Sequence, residues 1–271
     1  LASLKFALPD AVLGAFELPA LRSLQAFVAG PKALATLAAQ PWLPSLRRLS
    51  LQVFPGMKLA GLAAVYERLR DVETFELLLA EGSHAEPELR AAWSLPRWPK
   101  LTALRITGCP PSVERLDPLL GSGALKGLET LHLQGSMGPK AARRLAACED
   151  LASLTTLYTL QAELKDEGVA ALCESPHLTK LQRLGLKGTS VGKAGLEALT
   201  ATERLRDLVE LAVDVSAKAP APLREALAAH PKMPWLWALD AGPDGALMKS
   251  LDPRHRTVVR GDGITVDPLL E

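Results

Sequence analysis

The chain has 271 residues, 48% of them hydrophobic but only 4% aromatic, and its 31 Lys plus Arg against 30 Asp plus Glu leave a formal charge of +1. Charge this balanced, with no clustered basic run, excludes the electrostatic footprint of a nucleic-acid binder, and no window reaches the 18 or so consecutive apolar residues that membrane insertion needs. Three cysteines (Cys109, Cys148 and Cys173) with no CxxC pair and no adjoining histidine pair argue against a disulfide framework or a zinc site and predict reduced thiols in a cytoplasmic setting.

From the N-terminus, LASLKFALPDAVLGAF is apolar but has no basic run before it and is interrupted by Pro9 and Asp10. It reads as part of a repeat and not as a signal peptide. The repeat emerges on the pattern LxxLxxLxL. A partial copy holds Leu1, Leu4 and Phe6, and Leu21-Leu24-Phe27-Ala29 and Leu43-Leu46-Leu49-Leu51 follow. Leu69-Val72-Phe75-Leu77, Trp98-Leu101-Leu104-Ile106 and Leu125-Leu128-Leu131-Leu133 continue it. Leu151-Leu154-Leu157 keeps the register but places Thr159 at the fourth site, which predicts a weaker strand or a slip of one residue. Leu178-Leu181-Leu184-Leu186, Leu205-Leu208-Leu211-Val213 and Met233-Leu236-Leu239-Ala241 complete the series. Successive starts from Leu21 lie 22, 26, 29, 27, 26, 27, 27 and 28 residues apart, a period that a chance Leu-rich sequence would not hold.

The two-residue step at the end of each copy is a strand spacing, which turns both apolar side chains to one face. Between copies, KLAGLAAVYERL, PKAARRLAACEDL, KDEGVAALCESPHL, GKAGLEALTATERL and APLREALAAHPKM carry apolar residues at three- and four-residue steps, as helices do. Strand alternating with helix predicts parallel strands, one per repeat, joined by right-handed crossovers.

This pattern resembles the leucine-rich repeat family in its longer, ribonuclease-inhibitor-like form, over roughly residues 1–242. KDEGVAALCESPHLTKLQRLGLKGTSVGKAGLEAL and LETLHLQGS are similar to bacterial repeat proteins of high-GC origin. The resemblance implies an α/β fold: a right-handed solenoid or horseshoe of nine to ten repeats of roughly 27 residues, with a parallel concave sheet and a helical convex side. It also implies a non-catalytic scaffold that binds a protein partner on the concave face. One departure stands out, because the chain has no Asn. Where the family places a turn-satisfying Asn, this chain has Phe54, Ala80, Cys109, Ser136, Ala162, Thr189, Ser216 and Asp244 in successive repeats. The hydroxyls and thiol can make part of that ladder; Ala80 and Ala162 cannot, which predicts local irregularity or water there.

After Trp235 and Trp237 the period breaks. Residues 257–267 read as a β-hairpin around Gly261-Asp262-Gly263, making 243–271 a capping segment over the last repeat. Arg260-Gly261-Asp262 also spells an adhesion tripeptide, but Gly with Asp is what such a turn needs. The segment 80–97, with Trp93, is the longest between strands and reads as a packed loop, with a projecting contact site as the alternative.

Alternation assigns the partner-binding candidates. Arg48, Glu76, Arg105, His132, Tyr158, Arg183, Lys187, Glu210 and Asp214 flank the strand leucines and face the concave surface. Arg105, His132 and Tyr158 should lie side by side, since neighbouring strands sit about 4.8 Å apart; basic Arg183 and Lys187 beside acidic Glu210 and Asp214 predict a charge gradient. Arg and Tyr are residue types that often dominate interfaces. No catalytic set emerges: His132 has no nucleophile or carboxylate beside it, Glu76 and Glu210 are repeats apart, and the five histidines never fall in a ligand spacing. No enzyme activity, metal or cofactor is therefore expected. A monomer with a protein partner is expected, without nucleic acid or membrane insertion. The alternative reading is a substrate-targeting or regulatory module of a larger enzyme or effector whose catalytic domain lies outside this chain.

Overall fold

The computed structural model describes residues 3–8, 20–28, 32–79, 85–189 and 191–213. Nine strands alternate with seven helices: β1 (Ser3–Leu8), β2 (Ser23–Val28), α1 (Ala33–Ala38), β3 (Arg48–Val53), α2 (Leu62–Arg68), β4 (Thr74–Leu79), α3 (Glu86–Trp93), β5 (Ala103–Thr107), α4 (Val113–Gly121), β6 (Thr130–Gln134), α5 (Gly138–Ala146), β7 (Thr156–Leu160), α6 (Lys165–Cys173), β8 (Arg183–Leu186), α7 (Lys193–Ala201) and β9 (Glu210–Val213). The strands form one open sheet in sequence order, β1 to β9, and every neighbouring pair is parallel. The architecture is that of a solenoid-like α/β repeat. The proposed cap at 243–271, the repeat at 233–241 and candidate Asp214 lie outside the described residues.

Strand alternation supplies the layering. Leu49 and Leu51, Phe75 and Leu77, Leu104 and Ile106, Leu131 and Leu133, and Leu184 and Leu186 are at most 1% exposed and turn to one face of the sheet. Apolar helix residues cover that face: Leu34 and Leu37, Val65 and Tyr66, Leu116 and Leu119, Leu145, Val169 and Leu172, and Leu196 and Leu199. Fully burying one such leucine contributes about 2 kcal/mol, so stability accumulates by equal layers.

Thr159 corrects the expected slip. β7 keeps the register of β6, with Leu133 opposite Thr159. The threonine is completely buried, and its hydroxyl donates to the Gly185 carbonyl at 3.2 Å. A β-branched residue with a satisfied hydroxyl fills a leucine site without moving the strand.

From residue 85 on, the segment after β4 packs against the core. It holds α3, whose Trp93 is fully buried and donates its indole N–H to the Cys109 thiol at 3.2 Å. Arg115 clamps α3 to α4 through Glu86, at 2.6 Å for its shortest contact. Trp98 joins Tyr66 and Phe75 in a knot of edge-on rings with centroids 5.1–5.7 Å apart. Bulky side chains therefore fill the wider space that the 29-residue repeat opens.

The turns after the strands differ from the ladder predicted for them. Thr189 is buried and its hydroxyl donates to the Leu186 carbonyl at 2.5 Å, as a turn-satisfying side chain should. Ser136 does not: it is exposed and reaches Glu163 at 3.0 Å, while Met137 is buried beside it. At Ala162 the predicted irregularity is present, with Gln161, Glu163 and Lys165 at φ of 54°, 47° and 54°. The Ala162 carbonyl then accepts from the N–H groups of both Met137 and Gly138 at 2.9 Å, so backbone does what the missing amide would have done. Gln161 occupies a column where Gly108, Gly135 and Gly188 take positive φ.

Gly108 is the strictest position of that column. Its φ is +73°, and a Cβ there would lie 1.7 Å from the Leu79 carbonyl oxygen of the preceding repeat. Gly56 has φ +79° with nothing near a Cβ. Gly56→Ala should therefore cost about 1 kcal/mol of backbone strain alone, and Gly108→Ala about 3 kcal/mol or more, because the neighbouring strand must also shift. Urea unfolding of the two variants beside the parent measures the difference; equal losses would show that the close approach is not real.

Candidate functional site

The face opposite the helices carries the side chains between the strand leucines. The sheet register aligns its central row as Lys5, Gln25, Ser50, Glu76, Arg105, His132, Tyr158, Gly185 and Ala212. A second row runs through Arg48, Thr74, Ala103, Thr130, Thr156, Arg183 and Glu210. Arg105, His132 and Tyr158 thus stand on adjacent strands, as the spacing predicts. Lys187 sits one residue beyond the end of β8, at the rim of the face, and its carbonyl accepts from the Gln161 N–H at 2.8 Å.

Two polar networks organise the face. In the first, Glu76 accepts from the Ser50 hydroxyl at 2.6 Å and from Arg105 Nη1 at 3.2 Å. Although it lies on the open side of the sheet, Glu76 is only 8% exposed. Its carboxylate is enclosed by its partners, so it positions Arg105 and presents little of itself to a ligand.

The second network spans four strands. The His132 and Tyr158 rings lie 5.7 Å apart, tilted by 48°. The Tyr158 hydroxyl donates to Glu210 Oε1 at 3.1 Å, and Arg183 Nε lies 3.6 Å from Glu210 Oε2. Tyr158 on β7 reaches β9 because β8 offers no side chain between them. A Cβ on Gly185 would stand 2.1 Å from Tyr158 Cδ1, so the edge of the phenol ring occupies the space that a side chain at 185 would take. Of the basic and acidic columns expected to form a gradient, Arg183 and Glu210 lie 3.6 Å apart, while Asp214 falls outside the described residues.

Reading the strands singly missed Ser50 and Gly185 as members of these networks. Gly185 had a signal: a glycine in the middle of a strand marks a close approach. Ser50 had none, because its role depends on which residue stands opposite it one repeat later.

The cysteines lie on the helical side. Burial pushes the Cys173 thiol up to about 12 and raises Cys148 and Cys109 as well. All three are free, and only Cys148 is partly exposed. No helix among the described residues is long and apolar enough to cross a membrane.

No protein-family model matches the chain, and no curated protein does. Among solved structures the chain is similar to one in the crystal structure of the yeast Rad7 and Elc1 complex, at 13% identity, covering 97% of this chain and 83% of that one with a TM-score of 0.36. It is also similar to a protein from Bacteroides fragilis, at 14% identity, covering 89% of this chain and 77% of that one with a TM-score of 0.43. Likenesses this low leave function to be argued from the residues of the open face.

Two measurements test this geometry. Tyr158→Phe should cost about 1 kcal/mol for the lost bond to Glu210, Gly185→Ala should cost at least as much, and the double variant should cost no more than Gly185→Ala alone, since both remove one contact. Additive losses would place the ring elsewhere. In the native protein at pH 8, a thiol reagent should modify Cys148 alone, with Cys109 and Cys173 reacting only after unfolding; fast release from a second thiol would contradict their burial.

Proposed function

We propose that this protein is a non-catalytic leucine-rich-repeat scaffold of the ribonuclease-inhibitor-like kind, a right-handed solenoid that binds a protein partner on its open, concave sheet face. The observation that carries the reading is the adjacent trio Arg105, His132 and Tyr158 in register on a face that no helix covers among the described residues. Preorganisation supports it. Glu76 holds Arg105, and Glu210 with Gly185 fixes Tyr158, so these side chains lose less freedom on binding than mobile ones would. The same pairing argues against catalysis, because the two described carboxylates of the face, Glu76 and Glu210, are already engaged by Arg, Ser or Tyr. The protein works as a cytoplasmic monomer in this reading, with one partner laid along the strands.

Site-specific photocrosslinking tests it. A benzophenone side chain at Gln52 or Thr130, on the open face, should yield discrete adducts in lysate from the cells that make the protein, and the same probe at Arg90 or Lys140, on helices, should not. Adducts from the helical positions only would move the interface to the other side of the sheet.

A further inference from the structure

We infer that the segment received by the open face is an acidic peptide stretch interspersed with apolar residues; this rests on the preceding reading that the open face is the interface. Among the described side chains of the face and its rim, four are basic (Arg48, Arg105, Arg183 and Lys187) and two are carboxylates, Glu76 and Glu210, a formal excess of +2 from four minus two. The whole chain carries only +1, so this excess is local to the face.

Depth sharpens the asymmetry. Within each ion pair the carboxylate lies lower than the guanidinium: the Glu76 side chain is 10% exposed against 24% for Arg105, and Glu210 is 29% exposed against 51% for Arg183. An approaching chain therefore meets the positive end of each pair first, and Arg48 is exposed beside them. Complementary charge of this kind steers encounter and sets register more than it adds raw affinity.

Spacing separates a peptide from a nucleic acid. Arg48 and Arg105 are two strands apart and Arg105 and Arg183 three, about 10 Å and 14 Å at the strand spacing. Phosphates follow one another about every 3.4 Å along a strand of duplex, so a polynucleotide would leave most of its charges unmatched. A peptide laid across the strands turns alternate side chains to the sheet about every 7 Å. Carboxylates at every second such position, about 14 Å apart, then match Arg105 and Arg183, and an apolar side chain between them meets the Tyr158 ring and the half-buried Leu160 on β7.

Fluorescence polarisation with three labelled peptides of about 15 residues decides it: one repeating Glu-Ser-Leu-Ser, which turns Glu and Leu alternately to the same face, its Gln–Leu twin and its Lys–Leu twin, each at 50 and 300 mM NaCl, beside a labelled 15-mer of deoxythymidine. The Glu–Leu peptide should bind at least about tenfold tighter than the Gln–Leu twin and weaken as salt rises. Arg48→Glu with Lys187→Glu should lose about tenfold or more, as should the charge-neutralising pair Arg105→Gln with Arg183→Gln. Lys126→Glu with Lys140→Glu, an equal change of charge on the helical side, should lose nothing. Thermal melts confirm that each variant is folded. Equal or tighter binding of the neutral peptide, the basic peptide or the oligonucleotide would overturn the inference, as would no binding of the acidic peptide up to 1 mM. If the acidic peptide binds but only the helical-side variant weakens it, the open-face reading itself fails; if the photocrosslinks map to the open face while the acidic peptide does not bind, only the acidic chemistry is lost.

Discussion

One carbonyl per repeat holds this molecule in register. The residue just before each strand offers its backbone oxygen to two consecutive N–H groups of the next repeat. Arg22 accepts from Arg47 and Arg48, Arg47 from Glu73 and Thr74, Glu73 from Thr102 and Ala103, and Thr102 from Glu129 and Thr130. Glu129, Thr155 and Gln182 continue the series to β9 at 2.7–3.0 Å. The bond needs no particular side chain, and its occupants range from Arg to Thr to Gln. A chain without a single Asn can therefore stack, because the turn amide is replaced by a backbone ladder at the opposite end of each strand. Once the first residue of a strand is fixed, alternation fixes the face of every residue after it.

The chemistry of the open face follows from that register. Ser50, Glu76 and Arg105 meet only because three strands start level, and a slip of one residue would bury the arginine and expose the leucines. Tyr158 depends on it more stringently, since its hydroxyl reaches a carboxylate 52 residues later across a strand that must present glycine at that level. The face is therefore a set of side chains fastened to one another across repeats, and its rigidity is borrowed from the ladder beneath.

What the sequence made legible divides along the same line. The period, the strands, the buried leucines and the adjacency of Arg105, His132 and Tyr158 all follow from local spacing. Thr159 was misread because a polar residue at a leucine site looks like a fault until its partner, the Gly185 carbonyl one repeat on, is seen. Ser136 was misread for the converse reason: its neighbour Met137 competes for the buried position and wins on apolar area. Helix α3 was obscured by Pro87 and the polar run before it, although Pro in the first turn is favourable. Features that depend on one repeat are written in that repeat. Those that depend on two, such as the burial of Glu76 or the packing of Tyr158 on Gly185, are written in neither copy alone.

Coupling between repeats runs mainly between nearest neighbours. Arg47–Glu73, Lys100–Asp71, Arg144–Asp117 and Arg143–Glu167 each join successive copies at 2.6–3.3 Å. All are largely exposed and individually weak, so they tune a stack that buried leucines already hold. Tyr158 is the exception, because its bond to Glu210 skips a repeat. A load on Glu210 reaches β7 directly and, through the ring contact, His132 on β6. The β6–β9 half of the face thus behaves as one unit, whereas the Ser50–Glu76–Arg105 half is fastened pair by pair. Tyr158 can reach Glu210 across β8 because position 185 presents no side chain between them, and that one absence joins contacts on β6, β7, β8 and β9 into one network.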